Sequence, residues 1–321
     1  MCVCIHQNLL QVILTPISVR VQTAESTMAC NMNPSLAFSF LVLSSILLLP
    51  PRNLIITFCR AESEIDDESA FTYTKGTDRG PEKWGLINPE WKACGHGKMQ
   101  SPIDLLNRRV EVWSSLGKLK RDYKPAPATL VNRGHDIMVT WEGYAGKINI
   151  NGTYYNLRQC HWHSPSEHTL NGSRYNLELH IVHESSDGKV AVIGILYKYG
   201  RPDRFLTKLF HHISAFGHGK NKHDDEGHDG HEEKDLGIVN PGEIKFGSRK
   251  YYRYMGSLTV PPCTEGIVWT ISKKVRTVSR EQVNVLREAV HDGFEANARP
   301  TQKPHDRKIS LYSPRAIRGP A

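Results

Sequence analysis

The sequence predicts a mainly β (α+β) fold, in which many short strands form one body and helices are few. Between residues 103 and 200, segments rich in Val, Ile, Tyr and Thr are separated by turns, several of which contain Asn-Gly or Asp-Gly. Helical periodicity is sparse by comparison. The sequence contains no phosphate-binding loop, no dinucleotide fingerprint, no CxxC pair and no internal repeat, which excludes the nucleotide-binding and solenoid classes.

The individual elements follow from periodicity and from turn and cap residues. Six strands are predicted, at 129–132, 137–141, 147–150, 153–163, 175–183 and 189–198. Two helices are predicted, one at 204–213 and one at 280–290, and Ser279 is the expected N-terminal cap of the second. The length of 321 residues allows one or two domains with a large core.

Residues 1–60 differ in composition from the rest of the chain and are interpreted as a signal or targeting segment. They hold one acidic and three basic residues, and 36–49 form an almost unbroken apolar run. This run has the length of a signal-peptide core and is short for a bilayer span. Cleavage near Ala61 is expected, with an uncleaved membrane anchor as the alternative. Met28 is an alternative start, which would make 1–27 an upstream extension.

Charge along the chain argues against nucleic acid as a partner. Basic residues exceed acidic residues, 41 against 33, but they are scattered among the acids and form no run interleaved with aromatic residues. One tract is different, because residues 217–235 hold four histidines among acids, lysines and glycines. This tract is interpreted as a solvated surface insertion, and a weak secondary metal site is the alternative.

Two neighbouring runs place three histidines on predicted strands. Side chains of a strand alternate between its two faces, so Gln159, His161 and His163 share one face. In the next run, Glu178 and His180 share one face, and an Asn-Gly turn signal separates the two runs. If the two strands are antiparallel neighbours, the three imidazoles meet at one point.

Three histidines with one open position form a catalytic zinc site, because structural zinc sites usually have four protein ligands. Zinc lowers the pKa of a bound water to near neutrality, so such a site supplies hydroxide. Gln159 and Glu178 each stand two residues before a histidine, where they are candidates to fix the orientation of the imidazoles. The sequence therefore predicts one Zn2+ per chain. The alternative is that these are ordinary strand histidines in a histidine-rich protein.

The sequence resembles a known family in one further run of residues and in the order of several motifs. The run at 256–266 reads Gly-Ser-Leu-Thr-Val-Pro-Pro-Cys-Thr-Glu-Gly, and Trp269 follows it. In chain order the motifs are Gln-Ser-Pro-Ile-Asp at 100–104, Gln-x-His-x-His at 159–163, Ser-Glu-His at 166–168, Glu-Leu-His at 178–180 and Gly-Ser-Leu-Thr-x-Pro-Pro at 256–262. Together they resemble the α-class carbonic anhydrases, in the form secreted by plants, over about residues 70–312.

The resemblance implies a single domain over 61–321, built on a large central, twisted, mostly antiparallel sheet with short peripheral helices. It implies that zinc lies at the base of a conical cleft, with His161, His163 and His180 as its ligands. The implied activity is the reversible hydration of carbon dioxide to bicarbonate and a proton by zinc-bound hydroxide. Thr259 matches the family residue that accepts the hydroxide proton and donates to a buried carboxylate, here Glu167.

Further positions match family residues around the metal. Tyr73 matches an active-site tyrosine, with a packing aromatic as the alternative, and His135 matches the proton-shuttle histidine, with an exposed structural histidine as the alternative. Val260 stands where well-studied animal members have threonine, which removes a hydroxyl near the bicarbonate position and leaves catalytic efficiency open. Four apolar residues match the wall of the carbon dioxide pocket, and they are equally expected in the core of any sheet: Val182, Val192, Leu258 and Trp269.

Three of the seven cysteines lie beyond residue 60. The resemblance implies a disulfide between Cys94 and Cys263. Cys160 alternates with His161 along its strand, so it is expected to face away from the metal as a buried free thiol.

Asn151 and Asn171 each begin an N-x-[ST] motif, which favours glycosylation in the secretory pathway. An extracellular protein is expected, and the chloroplast stroma reached through the secretory route is the alternative. No membrane span is expected after cleavage of the leader. The resemblance implies sulfonamide-type and anion inhibitors besides carbon dioxide and bicarbonate. The sequence does not define an oligomeric state.

Two alternatives to a carbonic anhydrase are considered. One is a catalytically silent binding or storage protein on the same scaffold. Family members of that kind typically lack a zinc histidine, whereas all three histidines are present here together with Glu167 and Thr259. The other is an additional esterase activity, because the same hydroxide attacks activated esters. Some plant relatives are credited with a redox activity on ascorbate radicals, and no residue of this sequence points to it.

Overall fold

The computed structural model describes residues 70–218 and 232–314, without the side chains of 217 and 218. The predicted leader at 1–60 lies outside the described residues, as does most of the predicted surface insertion. The last four residues of that insertion, 232–235, are described and belong to a strand.

Helices within the described ranges are few and mostly short. The four α-helices are α1 (Trp84–Ile87), α2 (Lys92–His96), α3 (Arg204–His218) and α4 (Arg280–Ala289). Single turns of 3-10 helix lie at Pro89–Trp91, Asn107–Arg109, Ser114–Leu116 and Pro241–Glu243. The strands of the same ranges are β1 (Asp104–Leu105), β2 (Val110–Val112), β3 (Lys120–Tyr123), β4 (Ala126–Asn132), β5 (Ile137–Trp141), β6 (Gly146–Ile150), β7 (Thr153–His163), β8 (Thr169–Leu170), β9 (Ser173–Arg174), β10 (Leu177–Ser185), β11 (Val190–Tyr199), β12 (Glu232–Val239), β13 (Tyr251–Ser257), β14 (Glu265–Ser272), β15 (Arg276–Val278) and β16 (Ile309–Tyr312).

One sheet of thirteen strands dominates the described structure. Its main path runs β12-β4-β5-β7-β10-β11-β14-β13-β16-β2, while β15 pairs with β11, and β6 pairs with β3 and β7. The pairs β11–β14, β11–β15 and β16–β2 are parallel, and the other pairs of this sheet are antiparallel. The sheet is therefore mixed and mostly antiparallel, which confirms the predicted fold class. A smaller sheet joins β1, β8 and β9.

All six predicted strands are present with small shifts of their ends. The strands β5 and β7 have the predicted bounds, whereas β10 begins and ends two residues later than predicted. The cap of α4 is a capping box, because the Ser279 side chain accepts from Gln282 N and the Gln282 side chain accepts from Ser279 N. Gln282 also exchanges two hydrogen bonds with the backbone of Asp203, next to the start of α3. The two longer helices are thus tied together at one end.

The alternation of side chains along the central strands produces two apolar clusters. In β10, Leu177, Leu179 and Ile181 are buried in the larger cluster. A second cluster contains Val192 and Trp269. The histidines of β7 and β10 interrupt this apolar pattern at buried positions, so the sheet carries a polar site inside its core.

A disulfide closes the loop that follows β13. Cys94 of α2 is bonded to Cys263, 169 residues further along the chain, as predicted. Cys160 is a buried free thiol, as predicted from its alternation with His161. Within the two described ranges, no helix is long and apolar enough to cross a membrane.

Candidate metal centre

The strands β7 and β10 are antiparallel neighbours, and their pairing brings three histidines together. The register places His180 opposite His161, and it places Glu178 opposite His163. The ring centroids of the three imidazoles are separated by 4.6 to 5.2 Å. All three side chains are buried. The imidazoles therefore meet at one point, deep within the protein.

In each ring, one nitrogen donates a hydrogen bond to an oxygen of the surrounding protein. The three bonds run from His161 Nδ1 to Gln159 Oε1 at 2.8 Å, from His163 Nδ1 to the Asn297 carbonyl at 2.8 Å, and from His180 Nε2 to Glu178 Oε1 at 3.0 Å. Carbonyl and carboxylate oxygens only accept, so these ring nitrogens carry the protons. The other nitrogen of each ring keeps a lone pair, and such ligand atoms of the three histidines lie within 4.8 Å of one another.

The environment of these lone pairs fits a metal ion. His163 Nε2 is buried and has no hydrogen-bond partner in the described parts of the chain. A buried nitrogen without a partner is costly, and coordination to a metal removes that cost. Among the residues that the structure describes, the three imidazoles have no fourth protein ligand beside them, which matches a catalytic zinc site. The cluster is therefore a candidate zinc centre.

The charge around the cluster acts differently on the individual rings. Burial holds the pKa of His161 well below its usual value, although Asp136 opposes this effect, so the ring is neutral as a metal ligand must be. Burial also lowers the pKa of His163, but the carboxylates of Glu167 and Asp136 outweigh it and raise the net value. A proton therefore competes with a metal ion more strongly at His163 than at His161.

Glu178 connects the site to a wider network of buried polar groups. Its Oε2 accepts hydrogen bonds from the backbone N–H groups of Glu167 and His168, each at 2.8 Å. Its Oε1 accepts from His168 Nδ1 at 2.7 Å, besides the bond from His180. Burial opposes ionisation of Glu178, but electrostatic interactions and hydrogen bonds with His168 and His180 outweigh it and hold its pKa well below the usual range. A fixed negative charge thus lies behind the His180 ring.

Glu167 lies close to the histidines, but it does not bond to Thr259. Its Oε1 accepts from Arg299 N at 2.9 Å, and its buried Oε2 lies 3.7 Å from His163 Nε2 without a hydrogen-bond partner among the described residues. Thr259 follows β13 by two residues and is buried. The predicted hydrogen bond between the two side chains is not formed in this structure, although Glu167 Oε2 has no other hydrogen-bond partner among the described residues.

An apolar row begins on β10, the strand of His180, and continues across β11 and β14. The strand register pairs Val182 with Val192, and it pairs Val192 with Trp269. The Trp269 ring lies 4.8 Å from the His180 ring, centroid to centroid. Leu258 belongs to the same apolar cluster, whereas Val260 packs in the other one. Four of the five predicted pocket residues are therefore contiguous, and Trp269 contacts the metal site directly.

His135 and Tyr73 share a buried aromatic cluster. The centroid of the His135 ring lies 5.6 Å from that of Phe71 and 6.4 Å from that of Phe294. The Tyr73 ring packs edge-on against Trp84 and Phe294. His135 is fully buried, so the exposed histidine that was the alternative interpretation is not observed. Exchange of a proton with solvent at His135 requires movement of its ring or of the aromatic side chains around it.

Asn297 is a site residue that sequence reasoning missed. Its carbonyl holds His163, its Oδ1 accepts from Ser164 N at 2.8 Å, and its Nδ2 donates to the carbonyl of His135 at 2.8 Å. It therefore links a ligand histidine to the predicted shuttle histidine. A backbone carbonyl gives no residue-type signal, and Asn297 lies 134 residues beyond His163. His168 was part of a recognised motif, but its bond to Glu178 was not predicted.

Comparisons with known proteins find matches over most of the chain. A family model described as eukaryotic-type carbonic anhydrase matches residues 79–313. The chain is 55% identical over 259 residues to alpha carbonic anhydrase 4 of Arabidopsis thaliana, covering 79% of this chain and 90% of that protein. The crystal structure of dioscorin complexed with ascorbate matches with a TM-score of 0.71 and 44% identity, over 76% of this chain and 98% of that one. The α-carbonic anhydrase of Thermovibrio ammonificans, in complex with the inhibitor sulfanilamide, matches with a TM-score of 0.64 and 31% identity, over 78% of this chain and 100% of that one.

Proposed function

Since the chain belongs to the eukaryotic-type, or α-class, carbonic anhydrase family, we propose that it is a zinc enzyme that catalyses the reversible hydration of carbon dioxide to bicarbonate and a proton. The observation that carries the proposal is the set of three converging imidazoles, each with one nitrogen held by a protein oxygen and one left for a metal. Relatives that lose this activity on the same scaffold are expected to lose a ligand, and this chain has all three.

The ligand atoms would be the lone-pair nitrogens His161 Nε2, His163 Nε2 and His180 Nδ1. Zinc bound there supplies Lewis-acid activation of water at neutral pH. The oxygens of Gln159, Glu178 and Asn297 keep the rings in the tautomer and orientation that ligation requires. Because these oxygens lie on separate strands and on a distant loop, the site is pre-organised by the fold.

The chain supplies the surroundings of the reaction. Trp269, Val182 and Val192 form an apolar wall that suits carbon dioxide and excludes water from one side of the site. Glu167 Oε2 is an unused buried acceptor, and in the proposed mechanism it accepts a hydrogen bond from the Thr259 hydroxyl. Thr259 then accepts from the attacking water and orients it toward carbon dioxide.

A proton must leave the site in each cycle of hydration, and His135 is proposed to carry it. Imidazole is the side chain whose ordinary pKa suits proton exchange near neutrality. The backbone carbonyl of His135 is joined to the metal site through Asn297, which fixes the distance between the two. Since the His135 ring is buried beside Phe71 and Phe294, proton release would involve an outward turn of the ring.

A second candidate function is binding of a small organic molecule without hydration. It is favoured by the 44% identity to dioscorin, which was solved in complex with ascorbate. The intact histidine cluster, together with Glu167 and Thr259, argues for hydration as the primary activity. An esterase activity at the same centre is compatible with either candidate function. Comparing the turnover of carbon dioxide with the turnover of an aryl ester distinguishes esterase activity from hydration.

The proposed compartment is the secretory pathway, with export from the cell. The disulfide between Cys94 and Cys263 favours an oxidising compartment. Asn151 and Asn171 are exposed on turns, each with a φ of 50°, which is the kind of surface position that glycosylation requires. Peptide mapping of the native protein tests the leader, the glycans and the disulfide together.

Stopped-flow hydration of carbon dioxide, with zinc counted in the same sample, tests the proposed function. We expect one zinc per chain, loss of activity on chelation and recovery with added zinc. His180→Ala should lose zinc and activity together, whereas His211→Ala, which changes an exposed histidine of α3, should keep both. Zinc without hydration would support the binding protein, and a folded chain without zinc would refute the metal centre.

A further inference from the structure

A cavity of about 860 Å³ lies on the face of the sheet opposite the histidine cluster. In β13 the Tyr254 hydroxyl bonds to His168, and in β14 Trp269 contacts His180, so both side chains face the metal centre. Arg253 and Val268 are their neighbours in sequence and therefore point to the other face. Both line the cavity. A molecule bound there would not reach the proposed zinc site.

Arg253 is the feature that gives this cavity a chemical preference. Its Nε donates to Thr270 Oγ1 at 2.8 Å, and its guanidinium lies 5.1 Å from the centroid of the Tyr251 ring. Within the described parts of the chain, no carboxylate pairs with it, and its two Nη atoms donate no hydrogen bond. Burial lowers its pKa, but an arginine side chain stays charged at neutral pH. A partly buried charge without a counter-ion is costly, and an anion in the cavity would offset that cost.

The other charged groups that line the cavity already have partners. Lys189 pairs with Asp187 at 2.6 Å, Lys308 pairs with Glu111 at 2.6 Å, and Glu265 Oε1 accepts from Met99 N and Gln100 Nε2. Arg253 is therefore the lining cation that has no carboxylate partner among the described residues, whereas the Glu265 carboxylate is held by two neutral donors. A guanidinium with two unused Nη atoms favours a ligand that carries a single negative charge.

Most of the remaining lining is apolar, although Asn151, Thr153, Thr264 and Ser310 also line the cavity, and this apolar surface determines which ligand body fits. Tyr155, Met255 and Val268 contribute to the walls. The volume lies within the range of small-molecule sites, which combine apolar walls with a few polar anchors. A bare inorganic anion would leave most of these walls in contact with water. An organic anion with an aromatic or aliphatic body would cover them.

We propose that this cavity is a second ligand site, which binds a small apolar organic carboxylate. The carboxylate accepts from the two Nη atoms of Arg253, which match the two oxygens in a bidentate pair. The body of the ligand packs against Met255 and Val268. The cavity lies on the face of the sheet opposite the histidine cluster. The proposal therefore does not depend on whether that cluster hydrates carbon dioxide.

Calorimetric titration of the zinc-loaded, disulfide-bonded protein with 2-naphthoate tests the proposal. We expect saturable binding at one site per chain, weakened at least tenfold in Arg253→Met. Arg280→Met is the matched control, because Arg280 also stacks on a tyrosine, Tyr199, but lies outside the cavity. Its titration should match the wild type. Absence of saturable binding, or equal affinity in Arg253→Met, would overturn the proposal.

A second pair of variants decides the matter if Arg253→Met does not fold. Met255 lines the cavity and is 43% exposed, so a polar side chain there is tolerated by the fold. Met255→Glu adds a negative charge and should weaken binding of 2-naphthoate about tenfold, whereas the neutral Met255→Gln should weaken it less. Equal affinity in these two variants would contradict an anion site in the cavity. Neither substitution should change the affinity of 2-naphthoate for the zinc centre, if it binds there instead.

Discussion

His135 Nε2 lies 3.7 Å from Asp136 Oδ2, and both side chains are buried. Arg133 holds the same carboxylate through Nε at 2.9 Å and Nη2 at 2.6 Å. Burial opposes ionisation of Asp136, but the charges of Arg133 and His135 outweigh it and hold its pKa well below the usual range. The carboxylate is therefore ionised at neutral pH, and its negative charge lies beside the His135 ring.

Replacing Asp136 by Asn should change the proton-transfer step while leaving zinc in place. Removal of the negative charge disfavours the protonated imidazole, so the pH profile of kcat for hydration should move toward lower pH by about 0.5–1 unit. Stopped-flow kinetics at several pH values measure the shift, with Asp122→Asn on the exposed part of β3 as the matched control. A profile that superimposes on the wild type would remove Asp136 from the proton pathway.

His135→Ala tests the shuttle itself. We expect kcat to fall about ten- to hundredfold in weak buffer, with zinc content and the apolar wall unchanged. Added imidazole should restore much of the loss, because a small base can carry the proton in place of the side chain. A variant that keeps full activity in weak buffer would show that protons leave the site by another route.

Glu178→Gln should weaken zinc binding about 10- to 100-fold, which is the usual effect of removing the partner of a ligand histidine. The amide keeps the shape of the carboxylate but loses the charge that faces His180 and His168. Competition with a chelator of known affinity measures the change. Glu184→Gln, on the same strand but paired with Arg158 at the surface, is the control. Equal zinc affinity in the two variants would mean that the Glu178 charge does not support the ligand.

The central strands and their three histidines were predictable because they obey a local rule. Alternation along 153–163 places His161 and His163 on one face, and the turn that follows dictates an antiparallel partner. The edge strand β12 was not predicted, since its first half, Glu-Glu-Lys-Asp, is charged and mostly exposed, and a glycine at a positive φ, Gly237, interrupts its apolar second half. The role of Asn297 was also hidden, because it depends on a backbone carbonyl brought in from a distant part of the chain.

The disulfide should contribute to stability mainly through the unfolded chain, because it closes a loop of 169 residues. Loop-closure entropy predicts that Cys94→Ala/Cys263→Ala lowers the free energy of unfolding by about 2–5 kcal/mol. Urea denaturation at equal zinc content measures it. The control is Cys160→Ala, which removes a buried thiol but no cross-link. If the double variant were no less stable than this control, the cross-link would have no net effect on folding.

His183 should make the protein less stable as the pH falls. Its Nδ1 donates to the Ala191 carbonyl at 3.1 Å, so Nε2 of the neutral ring accepts from the Tyr123 hydroxyl at 2.8 Å. Burial lowers the pKa of His183 to about 3, although the carbonyl bonds oppose it. Between pH 3 and 6.5 the unfolded chain therefore binds a proton at this residue that the folded chain does not. The contribution of His183 to the free energy of unfolding is therefore complete above pH 6.5, and it is lost as the pH falls toward 3.

The size and sign of this effect can be isolated with a double variant. His183→Leu/Tyr123→Phe replaces both partners by apolar groups, so neither polar atom is left buried alone. The stability advantage of the wild type over this variant should shrink by about 3 kcal/mol between pH 7 and pH 4, as estimated from the difference between the two pKa values. Urea unfolding at both pH values measures it, and effects of zinc release cancel in the difference. Parallel stability curves for the two proteins would mean that His183 takes up a proton in the folded state as readily as in the unfolded state. Both ring nitrogens would then donate, so the Tyr123 hydroxyl would have to turn and accept.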